Sequence, residues 1–334
     1  MDQLTRDEAH RLQRSISRGL TDAADDNILA VGFGAATKRG RHDPDRPFAA
    51  CVYVARKKKS PGKGTRVRGE VSVRLKRGDR FVRVTVPTDV VEAPRLAPSG
   101  RFVTRQGEWL GSAGVVVAWK RSVPEWRWGV VTVGHLFDGT SGSAASLRAV
   151  LPNGAQLPCD RLFRSARTEH LDSALLEVEP ADLVLHGVTA VTSPPTARPF
   201  WAQNALVSAI HAASESNQPL VGASLRSFAD VAPFEVTHYF PESDQLIPEL
   251  GNLFDFILVR ATEETDPAPF IGGTSGSAFD IAGLGAAVQV GHDVDTSMIG
   301  AAQFLDTQLF WVRGKLNALD PSDPIQELRH VATF

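Results

Sequence analysis

Residues 129–137, GVVTVGHLF, form an apolar run of strand length that ends in a glycine and then His135. From about residue 101 the chain keeps this texture: short apolar runs alternate with Gly, Pro, Asn and Ser turns, and helical periodicity is nearly absent. Many short strands in one long run predict a sandwich or a barrel. The strand candidates are residues 113–119, 128–134, 147–151, 173–178, 205–210, 254–259 and 285–290.

The two ends of the chain depart from this pattern. Apolar residues recur at helical spacing over residues 3–27 and again over 306–319, which predicts an N-terminal helix and a C-terminal helix. Residues 71–75 and 81–86 alternate around the turn KRGD and predict a hairpin. The stretch APRLAPSG at 93–100 is a natural boundary. We therefore expect an α/β region over residues 1–98, regulatory or docking in role, and a β domain over residues 99–334.

Composition limits the class of protein. The 334 residues are 43% hydrophobic, enough for large cores, and suggest about two domains. Two cysteines, Cys51 and Cys159, favour a reducing compartment, where buried free thiols are expected rather than a bridge. The charged N-terminus does not resemble a signal peptide, and no apolar run is long enough to span a membrane. We expect a soluble, cytoplasmic, bacterial protein.

Charge is uneven although the net charge is only −2. The segment 56–83 contains twelve Lys or Arg against only Glu70 and Asp79. Such a run can bind nucleic acid, but few aromatic residues are interleaved for stacking on bases. The sequence favours a solvated hairpin face that could dock an acidic partner.

Three segments carry residues suited to nucleophilic catalysis. His135 follows a strand, Asp172 opens the strand in HLDSALLEV (170–178), and Ser275 lies in the glycine-rich loop FIGGTSGSAF (270–279). Each motif alone is also typical of ordinary structure: a core histidine, a strand-edge carboxylate, a flexible loop. Their joint occurrence in this order on an all-β background favours the catalytic interpretation. Asp160 and Asp182 are competing acids, but neither opens a strand.

The order His, Asp-x-Ala-Leu, Gly-x-Ser-Gly over roughly residues 109–310 resembles the trypsin-like (chymotrypsin-fold) serine proteases. The resemblance implies a double β-barrel, with His135 as general base, Asp172 orienting it and Ser275 as nucleophile. It also implies an oxyanion hole formed by the N–H groups of Gly273 and Ser275.

The nucleophile has a competitor in the chain. The string GTSGSA occurs at 139–144 and again at 273–278, so Ser141 must be weighed against Ser275. In the fold that the chain resembles, the histidine and the serine come from different barrels. Ser141 follows His135 by only six residues, and Ser275 is therefore assigned.

Specificity and control are less defined. The resemblance places Pro269, Gly291 and His292 at the pocket for the residue before the scissile bond. Thr274 stands where digestive relatives have an aspartate that pairs with a newly cut N-terminus, so activation by that route is not expected.

The sequence thus predicts a serine endopeptidase that acts on a protein or peptide substrate without a metal or organic cofactor. Neither His10 with Glu8 nor His42 with its neighbouring aspartates has metal-site spacing. Two alternatives stay open: a non-catalytic binding module on a protease scaffold, and a nucleic-acid-binding protein using segment 56–83.

Overall fold

The computed structural model of the chain describes residues 4–21, 27–38, 41–43, 45–58, 67–77, 79–98, 112, 114–137, 148–150, 156–185, 191–226, 229–243, 245–264, 268–271 and 274–333. The α-helices within them are α1 (Arg6–Thr21), α2 (Pro180–Leu185), α3 (Gln203–Glu215) and α4 (Leu305–Leu319). The strands in the first part of the chain are β1 (Ile28–Gly34), β2 (Thr37–Lys38), β3 (Arg41–His42), β4 (Ala49–Val54), β5 (Glu70–Arg77), β6 (Arg80–Glu92), β7 (Leu96–Pro98), β8 (Val115–Lys120) and β9 (Arg127–Thr132). The later strands are β10 (Arg148–Val150), β11 (Gln156–Pro158), β12 (Arg161–Arg164), β13 (Ala174–Val178), β14 (Leu220–Arg226), β15 (Ala229–Ser243), β16 (Leu253–Ala261), β17 (Ala278–Ile281), β18 (Leu284–Asp293), β19 (Ile299–Phe304) and β20 (Glu327–Thr333).

Six antiparallel strands close into a barrel. They follow the order β14–β17–β18–β19–β16–β15, and β15 pairs back with β14. Closure leaves the barrel without a free first or last strand, which satisfies backbone groups that an open sheet exposes. Strand β16 is almost continuously buried, as over Asp255–Val259, whereas most described residues of β14 are only partly buried. Phenylalanines from four of its strands, Phe234, Phe256, Phe279 and Phe304, are fully or almost fully buried.

A second sheet lies beside the barrel. Its five strands follow the order β12–β13–β9–β8–β20 and are all antiparallel. Every residue from Val115 to Trp119 is buried, and Val130 and Val131 of β9 face the same core. A strand buried on both faces reads as a continuous apolar run. This explains why AGVVVAW and WGVVTVG are uninterrupted.

The N-terminal strands extend the sheet of the barrel. Strand β1 pairs with β15 of the barrel and with β4, and β6 and β5 follow at the outer side. The predicted hairpin is β5 with β6. It is largely exposed, and one of its arginines, Arg77, forms a salt bridge with Glu8 of α1. Part of the basic segment, residues 59–66, lies outside the described residues.

The structure confirms the predicted fold class: mainly β, with a closed six-stranded barrel, a second sheet, an α/β region before them and a C-terminal helix. None of the helices in the described part of the chain is long and apolar enough to cross a membrane.

One predicted strand is wrong. Residues 205–210 belong to helix α3, where Leu206, Val207, Ile210 and His211 are buried. These positions recur at helical spacing, and the window of six residues was too short to distinguish a helix from a strand.

Candidate active site

His135 lies in a single 3₁₀ turn, Gly134–Phe137, just after strand β9. The residue before it has to be small, because a Cβ on Gly134 would lie 3.0 Å from the carbonyl oxygen of Ser173 and 3.2 Å from Oδ1 of Asp172. The glycine therefore lets the histidine turn come into close contact with the segment that carries Asp172.

Asp172 lies two residues before strand β13. Strands β13 and β9 are antiparallel neighbours, with Ala174 opposite Thr132, so the start of one lies beside the end of the other. Asp172 Oδ1 accepts a hydrogen bond from the backbone N–H of His135 at 2.8 Å, and Oδ2 lies 2.5 Å from His135 Nδ1. One carboxylate thus holds both the backbone and the ring of the histidine.

Ser275 comes from the barrel, in the turn that precedes strand β17. The next residue, Gly276, has φ +90°, and a Cβ there would overlap the carbonyl oxygen of Ser112, so a side chain is excluded for two reasons. Strand β18 fixes this turn: the N–H of Gly276 donates to Gln289 O at 2.9 Å, and the N–H of Gln289 donates to Ser277 O at 2.8 Å. This turn is the tight glycine loop that the sequence predicts.

The three predicted side chains meet where the two β units face each other. His135 Nε2 lies 2.9 Å from Ser275 Oγ, while Nδ1 faces Asp172. When Asp172 accepts the Nδ1 proton, the neutral ring has Nε2 as an acceptor for the serine hydroxyl. The arrangement can therefore remove a proton from Ser275 Oγ and hold the resulting imidazolium beside a carboxylate.

The cluster is closed to solvent. Ser275 is 0% exposed, and the side chains of His135 and Asp172 are 3% and 6% exposed. Within a low-dielectric surrounding, the electrostatic contacts of the cluster are stronger than at a surface. A cavity of about 300 Å³ adjoins His135 and Asp172 and is lined on its other sides by Arg164, Arg167 and Leu250.

The structure describes some of the other predicted site residues and not others. Gly273 and Ser141 lie outside the described residues. Pro269 and Gly291 are buried, and His292 is partly buried, with a pKa lowered by that burial. Thr274 is also buried, and its hydroxyl donates to Ile271 O at 2.7 Å and accepts from Gln289 Nε2 at 2.8 Å.

A strand from the N-terminal region lies on the predicted pocket wall. Strand β7 pairs antiparallel with β18, so that Pro98 is opposite Gly291 and Ala97 is opposite His292. A Cβ on Gly291 would lie 2.8 Å from the carbonyl oxygen of Ala97, which shows how closely the two strands approach.

Sequence reasoning missed Gln303, which contacts the backbone of Asp172 from strand β19. Its only local signal is a glutamine inside the apolar run IGAAQF, at a position that is fully buried. A polar side chain at a core position needs partners, and that need could have marked it.

Neither a metal site nor a bridge is present in the described part of the chain. No group of three or more His, Cys, Asp or Glu there could hold a metal ion. Cys51 and Cys159 are free and buried, and burial raises the pKa of both thiols, for Cys159 to about 12.

Comparison with known proteins finds matches among solved structures. No family model and no curated protein matches the chain. Among solved structures it is similar to Thermobifida fusca protease A at 12% identity, over 65% of this chain and 96% of that one, with a TM-score of 0.37. It is also similar to a Nocardiopsis protease (13% identity, 67% and 99% covered, TM-score 0.34) and to kallikrein-related peptidase 10 (11%, 61% and 95%, 0.35). These are low similarities, and nothing about activity follows from them.

Proposed function

We propose that this chain is a serine endopeptidase of the trypsin-like type, acting on a protein or peptide substrate. The observation that carries the proposal is the continuous contact from Asp172 Oδ2 through the ring of His135 to Ser275 Oγ, with spacings of 2.5 Å and 2.9 Å. A serine hydroxyl is a weak nucleophile without an adjacent base, and a third group must orient that base.

The chemistry follows from the placement of the atoms. His135 Nε2 takes the proton of Ser275 Oγ as the oxygen attacks the peptide carbonyl carbon, and a tetrahedral intermediate forms. The imidazolium then gives that proton to the leaving nitrogen, the C–N bond breaks and an acyl-enzyme remains. Water, deprotonated by the same histidine, hydrolyses the ester and restores the serine. Asp172 keeps its charge throughout and stabilises the imidazolium.

Stabilisation of the tetrahedral oxygen is assigned to the N–H groups of Gly273 and Ser275. The glycine-rich loop is suited to this role because the positive φ of Gly276 makes a tight turn at the serine. One such donor is typically worth about 2.7–4 kcal/mol of the barrier.

The alternative of a non-catalytic scaffold has one observation in its favour. Ser275 has no exposed surface, and a substrate carbonyl cannot reach Oγ unless neighbouring chain moves. A closed site of this kind fits either a latent enzyme or a site that binds no substrate. The two differ in whether Oγ reacts with a small electrophile that needs only a limited opening.

The test is labelling of the purified protein with a fluorophosphonate, which reacts with activated serine hydroxyls. Wild type is compared with Ser275→Ala, His135→Ala and Ser141→Ala, the last being the serine of the duplicated GTSGSA string. We expect labelling of the wild type and of Ser141→Ala, none of Ser275→Ala and greatly reduced labelling of His135→Ala.

A wild type that stays unlabelled over hours, while its circular dichroism shows a folded protein, would contradict the proposal and favour the scaffold. Equal loss of labelling in Ser141→Ala and Ser275→Ala would contradict the assignment of the nucleophile.

A further inference from the structure

Gln303 joins the segment of Asp172 to the barrel. It lies on strand β19 and is fully buried. Its Oε1 accepts a hydrogen bond from the backbone N–H of Asp172 at 3.1 Å. Its Nε2 donates to the carbonyl oxygen of Phe254 at 2.8 Å and to that of His170 at 3.2 Å. One side chain therefore connects two segments of the chain through three hydrogen bonds.

The set of partners requires an amide. One acceptor for an N–H and two donors for carbonyl oxygens are needed at one buried point, and a glutamine side chain supplies both. A buried amide is costly unless it is hydrogen-bonded, and its backbone partners would also be left unpaired without it. Gln303 is thus specified by its contacts and not by filling of the core.

The segment that it holds is conformationally demanding. His170, two residues before Asp172, has φ +58°, a left-handed conformation that is uncommon for a residue with a side chain. The ring of His170 stacks on that of Phe254 with centroids 4.4 Å apart, and the N–H of Phe254 donates to His170 O at 3.0 Å. Contacts with strand β16 of the barrel therefore maintain the turn that leads into Asp172.

These contacts bridge the two halves of the site. His135 follows strand β9 and Asp172 precedes strand β13, and both strands belong to the five-stranded sheet. Ser275 and Gln303 belong to the barrel. The spacing between His135 Nε2 and Ser275 Oγ depends on how the sheet is placed against the barrel. We propose that Gln303 is a positioning residue that keeps Asp172, and through it His135, in register with the nucleophile. This role rests on the proposed function of the cluster, since positioning is useful only if a proton is transferred.

The test uses Gln303→Met, which keeps length and volume but removes all three hydrogen bonds, and Gln303→Glu, which keeps an acceptor for the N–H of Asp172. Gln308→Met is the matched control, because Gln308 is equally buried on helix α4 and its side-chain atoms have no hydrogen-bond partner among the described residues. The first readout is the fluorophosphonate labelling rate. Misplacement of a reacting group by about 1 Å can cost roughly 100-fold, so we expect a 10- to 100-fold loss in Gln303→Met.

We expect Gln303→Glu to lie between Gln303→Met and the wild type, and Gln308→Met to label at the wild-type rate. Should Gln303→Met fail to fold, the Glu variant carries the comparison, and a labelling rate equal to that of the control would overturn the role.

A second readout does not depend on activity. In protein with ¹⁵N-labelled histidine, the His135 Nδ1 proton held by Asp172 should give a downfield NMR resonance. We expect that signal to shift or broaden in Gln303→Met and to persist in Gln308→Met. An unchanged signal in Gln303→Met would overturn the positioning role even if activity fell. If the signal responds as expected while the wild type never labels, positioning stands and the proposed function falls.

Discussion

Asp172 and Asp255 are both buried carboxylates beside a histidine, but the groups around them differ. The side chain of Asp255 is fully buried, and Arg6 of helix α1 donates to it from Nε at 2.9 Å and from Nη2 at 2.8 Å. The hydroxyl groups of Tyr239 and Thr307 donate to the same carboxylate, and His10 Nε2 lies 3.4 Å away. Asp172 has no such cation: among the described residues its carboxylate accepts hydrogen bonds only from His135.

The difference separates a structural carboxylate from the one that we propose to be catalytic. Burial alone would raise the pKa of Asp255, but hydrogen bonds from His10 and Arg6 outweigh it and lower the pKa. That charge is neutralised locally, and it fixes helix α1 to the barrel. Among the described residues, the only side-chain partner of the Asp172 carboxylate is the imidazole of His135. The other ring nitrogen of that imidazole, Nε2, faces the hydroxyl of Ser275. Both sites contain an aspartate and a histidine, and the other groups that contact the aspartate determine its role.

The largest expected effect comes from Asp172→Asn. An asparagine at this position can donate to Nδ1 and so favours the tautomer that cannot accept the proton of Ser275. We expect the labelling rate to fall by about 10⁴-fold, as is typical when the acid of such a triad is neutralised, with little loss of stability. Labelling kinetics and urea denaturation measure both. A variant that loses stability but labels normally would show that Asp172 is a second structural carboxylate.

The matched change at the other site is Asp255→Asn. Asp255 has φ +51°, and asparagine tolerates this conformation, so the substitution removes charge with little backbone strain. It leaves Arg6 without its partner, and breaking a buried ion pair typically costs about 3–5 kcal/mol of unfolding free energy. We expect the lower end of that range, because the Arg6 side chain is 27% exposed.

Asp255→Asn should still label within about twofold of the wild-type rate at a temperature at which it stays folded, because the carboxylate contacts Arg6, His10, Tyr239 and Thr307 and none of these belongs to the proposed triad. A loss of labelling that exceeds the loss of folded protein would show that the two carboxylates are coupled.

Acid sensitivity separates these carboxylates from two histidines that are buried and whose pKa burial lowers. Burial lowers the pKa of His238 and of His330 to about 4. The folded state then binds fewer protons than the unfolded state below about pH 6.5, so this stability is complete above that pH and is lost as the pH falls towards 4. At pH 5 each histidine lowers the free energy of unfolding by about 2 kcal/mol relative to its value above pH 6.5.

Urea denaturation between pH 7.5 and 5 checks this loss. In His238→Gln the free energy of unfolding should depend less steeply on pH, because unfolding then takes up about one proton fewer. Asp255→Asn should not change it, because the lowered pKa of Asp255 contributes only below about pH 4. A steeper wild-type loss that Asp255→Asn abolishes would contradict this division between carboxylate and histidine.

The smallest expected effect concerns strand β7, which covers the edge of β18 near the nucleophile. Leu96 is 6% exposed, and Arg95 pairs with Asp295 beside it. Leu96→Ala removes part of a burial worth about 2 kcal/mol, so the fraction of molecules with β7 detached should rise roughly tenfold. We expect faster labelling, whereas Leu309→Ala, a similarly buried leucine on α4, should have no such effect. Equal rates in both variants would show that β7 does not limit access.

The three residues of the proposed triad could be selected from sequence because each lies in a local motif. His135 ends an apolar run, Asp172 opens one, and Ser275 lies between glycines. The structural carboxylate could not be predicted in this way. Asp255 lies inside LFDFILV, and its arginine partner is 249 residues away, so no local pattern marks either.

Prediction of the strands is limited in the same way, because it too depends on local patterns. The continuous apolar runs of the second sheet were predicted as strands. By contrast, β15, ADVAPFEVTHYFPES, was not, because its alternation is interrupted by two prolines and several charged residues. Gln303 and the pairing of β7 with β18 depend on contacts between distant segments, which only the folded chain supplies.

The most direct measurement is the fluorophosphonate labelling rate of the wild type, His135→Ala, Asp172→Asn and the double variant, with Ser275→Ala as background. Residues that act as one unit are strongly non-additive. We therefore predict that the wild type labels well above background, that His135→Ala removes nearly all of that rate, and that adding Asp172→Asn removes no more. A wild-type rate equal to that of Ser275→Ala, or losses that multiply in the double variant, would contradict a working triad.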